Sequence, residues 1–277
     1  MKLQTVVDIK PSAWKIGYED KILMLGSCFS DEIDEQMAQR NLQVTCNPFG
    51  TLYNPLSIAQ AISLQPSAVS YQFHDGLWHS MAHHGSFSRP TKEETELAVR
   101  ASIETMQHAL EEATVVIVTF GTAWIYEMNG EIVGNCHKLP EKEFTRRRLS
   151  VEEIVEAWKP ILEQYKDKHW LFTVSPIRHV KDGLHENEIS KATLLLALEA
   201  FCHQFSAVSY FPSYEIVLDE LRDYRFYAED LVHPSSTAVQ YIWERFVDCF
   251  CTTQTQNELI LQHKRWKQTQ HRPLRDI

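Results

Sequence analysis

The chain has 277 residues, 44% hydrophobic and 23% charged, with 9 glycines and 11 prolines: enough apolar material for one large core, and too little Gly and Pro for a fibrous or low-complexity chain. A formal net charge of −10 argues against a polyanion as partner, because nucleic-acid binding draws on concentrated Lys and Arg. No run reaches the roughly 18 apolar residues of a membrane span, so neither nucleic acid nor membrane is expected as a partner.

In chain order, the apolar run at 21–25 predicts a short buried strand, and the charge and apolar spacing of 30–40 predicts a helix after it. Asn47-Pro48-Phe49-Gly50 through Tyr53-Asn54-Pro55 is turn chemistry ahead of a short helix at 56–64. Residues 71–88 predict an irregular hairpin around Asp75-Gly76, inserted over one end of a sheet. A long helix at 91–113 with acidic early turns leads to a β-branched central strand at 114–120. Asn129-Gly130 marks a second hairpin within 124–134, and Ser150 with Glu153 makes a capping box for a helix at 150–165. Further strands are expected at 170–174 and 207–211, helices at 185–205, 213–223 and 235–251, and a helical tail beyond. Strands alternating with helices predict an α/β fold, a parallel sheet covered on both faces, in a single domain over 1–277.

Ligands of such sheets bind beyond the carboxyl ends of the strands, and the residues with chemistry collect at those ends. Ser27 stands where a buried strand stops at Gly26 and a helix begins. A serine hydroxyl needs a base and the base needs a fixed tautomer, roles that His233 and Asp230, three residues apart, can fill. Free N–H groups at the strand-to-helix turn can receive an oxyanion. The alternative is that Ser27 and Asp230 only cap helices. Cys28 offers a thiol beside Ser27, but neighbouring side chains on an extended turn point apart, and a buried structural thiol is expected. Arg178 and His179 are expected to line the site and orient a carbonyl or an anionic group. His79, His83, His84 and the Cys136-His137 pair match no zinc spacing, so no metal and no cofactor is expected. Arg146-Arg147-Arg148 and the tail from Lys264 to Arg275 read as solvated surface without a stacking aromatic platform. Residues 1–14 lack the apolar core of a secretion leader, and the cysteines at 28, 46, 136, 202, 249 and 251 form no C-x-x-C pair; reduced thiols and a cytoplasmic location are expected.

At these residues the chain resembles the GSCFA family, whose motif stands here as Gly26-Ser27-Cys28-Phe29-Ser30, with Ser30 for the last Ala. The likeness continues through Asn47-Pro48-Phe49-Gly50, Tyr53-Asn54-Pro55, Phe120-Gly121-Thr122-Ala123-Trp124, Ser175-Pro176-Ile177-Arg178-His179 and Asp230-Leu231-Val232-His233-Pro234. That family is similar to the SGNH (GDSL-like) hydrolases, which implies a three-layer α/β/α sandwich of flavodoxin-like type. Carried over, Ser27 takes the place of the nucleophile in a Gly-Asp-Ser-type block, and Asp230 and His233 match the Asp-x-x-His block. Gly50 takes the place of the second-block glycine, whose N–H joins that of Ser27 in an oxyanion hole. The Gly-x-Asn-Asp block departs from the pattern: Gly121 and Thr122 are followed by Ala123 where the oxyanion Asn belongs, so either Asn54 or another donor fills that place or oxyanion stabilisation is weaker. The resemblance implies a serine esterase or acyl hydrolase working through acyl-Ser27 on a small-molecule or carbohydrate ester, such as an O-acylated sugar. Ala123 keeps open a second expectation, an SGNH-fold ligand-binding module with little or no turnover.

Overall fold

The structure is a computed structural model and describes residues 4–270. Its strands are β1 (Lys21–Gly26), β2 (Gln43–Cys46), β3 (Tyr71–His74), β4 (Leu77–Ser80), β5 (Val115–Phe120), β6 (Trp124–Met128), β7 (Glu131–Val133), β8 (Thr145–Arg148), β9 (His169–Val174) and β10 (Val208–Phe211). The helices are α1 (Cys28–Ala38), α2 (Pro55–Ser63), α3 (Lys92–Glu112), α4 (Val151–Gln164), α5 (Leu184–Gln204), α6 (Ser213–Glu215), α7 (Ser236–Phe250) and α8 (Thr253–Gln270).

The apolar runs predicted as strands become a parallel sheet in the order β10-β9-β5-β1-β2. Side chains alternate across it, as a period of two requires. Leu23, Leu25, Val116, Val118, Trp170 and Phe172 join the core built with α2, α3, α4 and α5. Ile22, Met24, Val115, Ile117 and Leu171 join the core on the other face, with α1, α7 and α8. The chain is thus the three-layer α/β/α sandwich that the strand and helix alternation predicts. Each fully buried large apolar side chain contributes about 1.5–3 kcal/mol, so strands with no exposed face are held firmly in register. The chain leaves β1 toward β2 on one side and crosses back to β5 on the other, which makes the gap between β1 and β5 the topological switch point where ligands bind in open sheets.

Both expected hairpins form. Asp75-Gly76 and Asn129-Gly130 take left-handed φ values of 48° and 75°, and of 54° and 83°, and join β3 to β4 and β6 to β7. The capping box of Ser150 and Glu153 opens α4. Other elements depart from expectation. Helix α1 starts at Cys28, two residues before the predicted start, because Gly26 ends the strand and Ser27 already holds the extended N-cap conformation. The helix expected at 213–223 is the single turn α6 followed by a π-helical turn, Ile216–Leu221. Strand β2 escaped the sequence reading because it is short and half-buried at the sheet edge. Strand β8 carries Arg146, Arg147 and Arg148, which lie at the surface as expected, but it pairs with β6 and the Arg146 guanidinium lies 4.2 Å over the Trp124 ring, an aromatic partner the sequence reading missed. Of the basic tail, residues 271–277 lie outside the described residues.

Candidate active site

The run of β1 ends at Gly26 because the chain must turn there while pressed against β5. Gly26 has φ +136°, and a Cβ on it would stand 2.2 Å from the Thr119 carbonyl oxygen. Its N–H donates to Asn47 Oδ1 at 2.8 Å, and its carbonyl accepts from the Leu52 N–H at 3.0 Å. Asn47 Nδ2 donates in turn to Asp31 Oδ1 at 2.6 Å, so one asparagine ties the turn to the first turn of α1. The Tyr53 carbonyl accepts from the Gly121 and Thr122 N–H groups at 2.8 and 3.0 Å, which fastens the 47–54 loop to the end of β5.

Ser27 is buried, its side chain makes no cap hydrogen bond, and its Oγ has no hydrogen-bond partner among the described residues. The hydrogen bond expected from Ser27 to His233 is therefore not made. The next side chain turns the other way: Cys28 Sγ lies 3.7 Å from His233 Nε2. The thiol is half-buried in the first turn of α1, with the N–H groups of Cys28 and Phe29 turned toward the sulfur. Burial, reinforced by the Glu32 carboxylate one turn on, pushes the thiol up to about 11, so its resting form is neutral.

Across the switch point, Asp230 Oδ1 accepts from the Val232 and His233 N–H groups at 2.9 and 3.0 Å, and Oδ2 lies 2.6 Å from His233 Nδ1. The hydrogen bonds from the His233 backbone and ring hold this carboxyl down at about 2. An ionised carboxylate only accepts, so Nδ1 carries the proton and Nε2 presents its lone pair to the Cys28 sulfur. Leu231 takes a φ of 57° within this tight loop. Arg178 braces the loop: its N–H donates to the Val232 carbonyl at 3.2 Å and its Nη1 to the Leu231 carbonyl at 3.0 Å, with the guanidinium over Tyr224 and Tyr227. His179 lies beside the Gly121 carbonyl and edge-on to Tyr53 at 6.4 Å between ring centroids. Burial, helped by the Lys191 ammonium, pushes it down to about 4.

The expected oxyanion donors are engaged elsewhere. The Ser27 N–H donates to the Thr119 carbonyl at 3.2 Å and the Gly50 N–H to the Asn47 carbonyl at 2.7 Å. Gly50, at φ +73°, is needed where a Cβ would come within 2.3 Å of His84 Cβ. Asn54 caps α2, accepting from the Ser57 N–H at 2.8 Å and donating to Ser57 Oγ at 2.9 Å. The Thr122 hydroxyl lies 3.1 Å from Ser190 Oγ, and Ala123 is fully buried in the apolar core. What remains near the thiol is the first turn of α1, whose N–H groups have no acceptor within the helix.

Two residues of the site were not read from the sequence. Glu32 Oε2 is buried with no hydrogen-bond partner among the described residues. Burial pushes this carboxyl up to about 7, against the pull of His233. Its signal was its place four residues after Cys28, on the same helix face. Lys191 is wholly buried and falls on the stripe Asn187, Ser190, Lys191, Leu194, Ala197, Leu198 and Phe201 that α5 turns inward. A lysine at a core position of that pattern was visible in the sequence. The histidine cluster braces the hairpin: His83 lies between Ser80 Oγ and Ser102 Oγ, at 2.7 and 2.9 Å, and stacks on Phe49, while His137 stacks on His79. Among the described residues there is no group of three or more side chains placed to hold a metal ion, and no helix long and apolar enough to cross a membrane.

Comparison with curated proteins finds no match for the chain. The profile of the GSCFA family matches residues 21–246, a span that opens with β1 and takes in Cys28, the 47–54 loop, Gly121, Arg178, Asp230 and His233. The chain belongs to the GSCFA family.

Proposed function

We propose that this protein is an acyl hydrolase with Cys28 as nucleophile, His233 as general base and acid, and Asp230 as the group that fixes the imidazole. The observation that carries the reading is a single line of contacts, Cys28 Sγ to His233 Nε2 at 3.7 Å and His233 Nδ1 to Asp230 Oδ2 at 2.6 Å. In a Gly-Asp-Ser-type block the nucleophile stands two residues after the glycine, which counted from Gly26 is Cys28 and not Ser27. A thiol held near 11 does not rest as thiolate; His233 removes its proton as sulfur attacks the ester carbonyl. The N–H groups of Cys28 and Phe29, at the positive end of α1, support the oxyanion. Collapse breaks the C–O bond, the leaving alkoxide takes the proton from His233, and a Cys28 thioester remains. Water, deprotonated by His233, then attacks the thioester, and the carboxylic acid leaves as the thiol is restored. The substrate class, a small acyl ester with O-acylated sugars among the candidates, rests on the resemblance to SGNH hydrolases.

The test is incubation of the purified protein with short p-nitrophenyl acyl esters and acetylated sugars, with mass spectrometry of the protein. An acyl adduct on Cys28 is expected, with turnover abolished in Cys28→Ala and largely kept in Ser27→Ala. An adduct on Ser27, with turnover lost in Ser27→Ala and kept in Cys28→Ala, would return the nucleophile to Ser27. Neither turnover nor adduct in the wild type would leave a ligand-binding module, the reading that the buried Ala123 favours because it removes a side-chain oxyanion donor.

A further inference from the structure

Lys191 has no part in the reaction as written, yet its surroundings are built for a cation. Its Nζ donates to the carbonyls of Gly121 and Ser175, both at 2.7 Å. Gly121 follows β5 and Ser175 follows β9, so the ammonium bridges two adjacent strand ends at the edge where the site lies. Gly121 is also the residue packed on Ser27, where a Cβ would come within 3.4 Å of Ser27 Cβ. A buried ammonium is costly unless it is paired, and Met or Leu would fill the same space on an apolar helix face. The Tyr214 ring lies 5.6 Å from the ammonium, and the titratable groups close enough to couple to its charge through space are Glu188 on its own helix, His179 and Cys28, which follows the Ser27 that Gly121 packs on. Of these, Cys28 is the one that acquires negative charge during attack.

We propose that Lys191 is a positioning residue of the site: it clamps the strand ends bearing Gly121 and Ser175, and its charge favours the thiolate that Cys28 forms. This inference rests on the reading of Cys28 as nucleophile. Burial pushes Lys191 down to about 7, so the charge is present below that pH and lost above it.

The experiment reads the thiolate without needing turnover. Full-length wild type, Lys191→Gln and Lys191→Met are treated with methyl methanethiosulfonate from pH 6 to 9, and the adduct on Cys28 is followed by peptide mass spectrometry, with the exposed Cys202 as internal control. Gln keeps N–H donors for the two carbonyls without the charge; Met removes both. A thiol raised by about one unit has a tenfold smaller thiolate fraction, and each thiolate is about threefold more reactive, so a net slowing of roughly threefold to fourfold is expected. Cys28 in Lys191→Gln should be slowed by that factor at pH 6.5, and the ratio to wild type should close as pH rises past about 7. Folded Lys191→Gln reacting at the wild-type rate throughout, or slowed equally at every pH, overturns the proposal. If Lys191→Gln does not fold, Lys191→Met makes the same comparison; failure of both to fold assigns Lys191 to the fold alone and also overturns it. Absence of ester hydrolysis would count against the proposed function and leave this measurement intact.

Discussion

Replacing Gly26 by Ala should damage the protein more than any other exchange of a left-handed glycine for alanine. The new Cβ would meet the carbonyl oxygen of Thr119 at 2.2 Å, with Thr119 N and C both at 2.9 Å. These are backbone atoms of the central strand β5, which pairs with β1 at Gly26 and Thr119, so no side chain can swing aside. A φ of +136° adds about 1–3 kcal/mol for a residue with a Cβ. Relief requires prying β1 from β5, which strains the bonds from Gly26 N–H to Asn47 Oδ1 and from Ser27 N–H to the Thr119 carbonyl, each contributing about 0.5–1.5 kcal/mol. The sum is about 2–6 kcal/mol, a large share of the roughly 5–15 kcal/mol that stabilises a typical domain. Gly76 is the control: it too has positive φ, +75°, but a Cβ there meets nothing within 4 Å, so its Ala variant should lose only about 1–2 kcal/mol. Equilibrium urea unfolding followed by far-ultraviolet circular dichroism measures both. Gly26→Ala losing no more stability than Gly76→Ala would refute the packing argument.

Two further outcomes are expected. Asp230→Asn removes the anion that accepts the hydrogen bond from His233 Nδ1–H, so turnover of a p-nitrophenyl ester should fall about 10²- to 10⁴-fold with the thermal midpoint nearly unchanged; retention of more than a tenth of the activity would show that another group sets the tautomer. Stability should fall with acid, because burial pushes His83 from 6.5 down to about 3, and His137 and His179 down to about 4. The unfolded chain binds protons there that the folded chain refuses, so this contribution is complete above about 6.5 and is lost on descending toward about 4 for His137 and His179 and about 3 for His83. His83 alone accounts for about 2 kcal/mol at pH 5, while Glu32, pushed from 4.5 up to about 7, acts with opposite sign over its own range. Urea midpoints at pH 7 and 5 should drop further in wild type than in His83→Gln; equal drops would contradict this account.

The sequence reading succeeds where one local rule decides the outcome. The runs ending at Gly26, Phe120 and Val174 are apolar on both faces and could only be buried strands, and Asp75-Gly76 and Asn129-Gly130 have the residues that left-handed turns demand. It fails where a neighbour distant in sequence decides. Strand β2 has a half-exposed surface and is a strand because β1 lies beside it. Arg146 is solvent-facing as read, but its stacking on Trp124 appears only once β6 lies beside β8. The proposed nucleophile turns on a smaller matter. Ser27 and Cys28 are equally plausible by residue type, and the choice follows from which is the N-cap and which lies in the first turn. That depends on Gly26 being pinned by Asn47 from the following loop. Gly50 and Asn54 have the right chemistry for oxyanion donors, but their hydrogen bonds are engaged within their own loop, which only coordinates reveal.

The position of His233 in the chain governs when the proposed triad is complete. A nascent chain that has emerged as far as Phe211 already contains every strand of the parallel sheet and the thiol of Cys28. It lacks the imidazole and the carboxylate, which arrive on the stretch after α6, and Cys28 has no imidazole beside it until that stretch settles onto Arg178. Synthesis therefore yields the strand scaffold first and the line of contacts from Cys28 through His233 to Asp230 last, so under the proposed function the acylating centre is completed only when the chain is nearly finished.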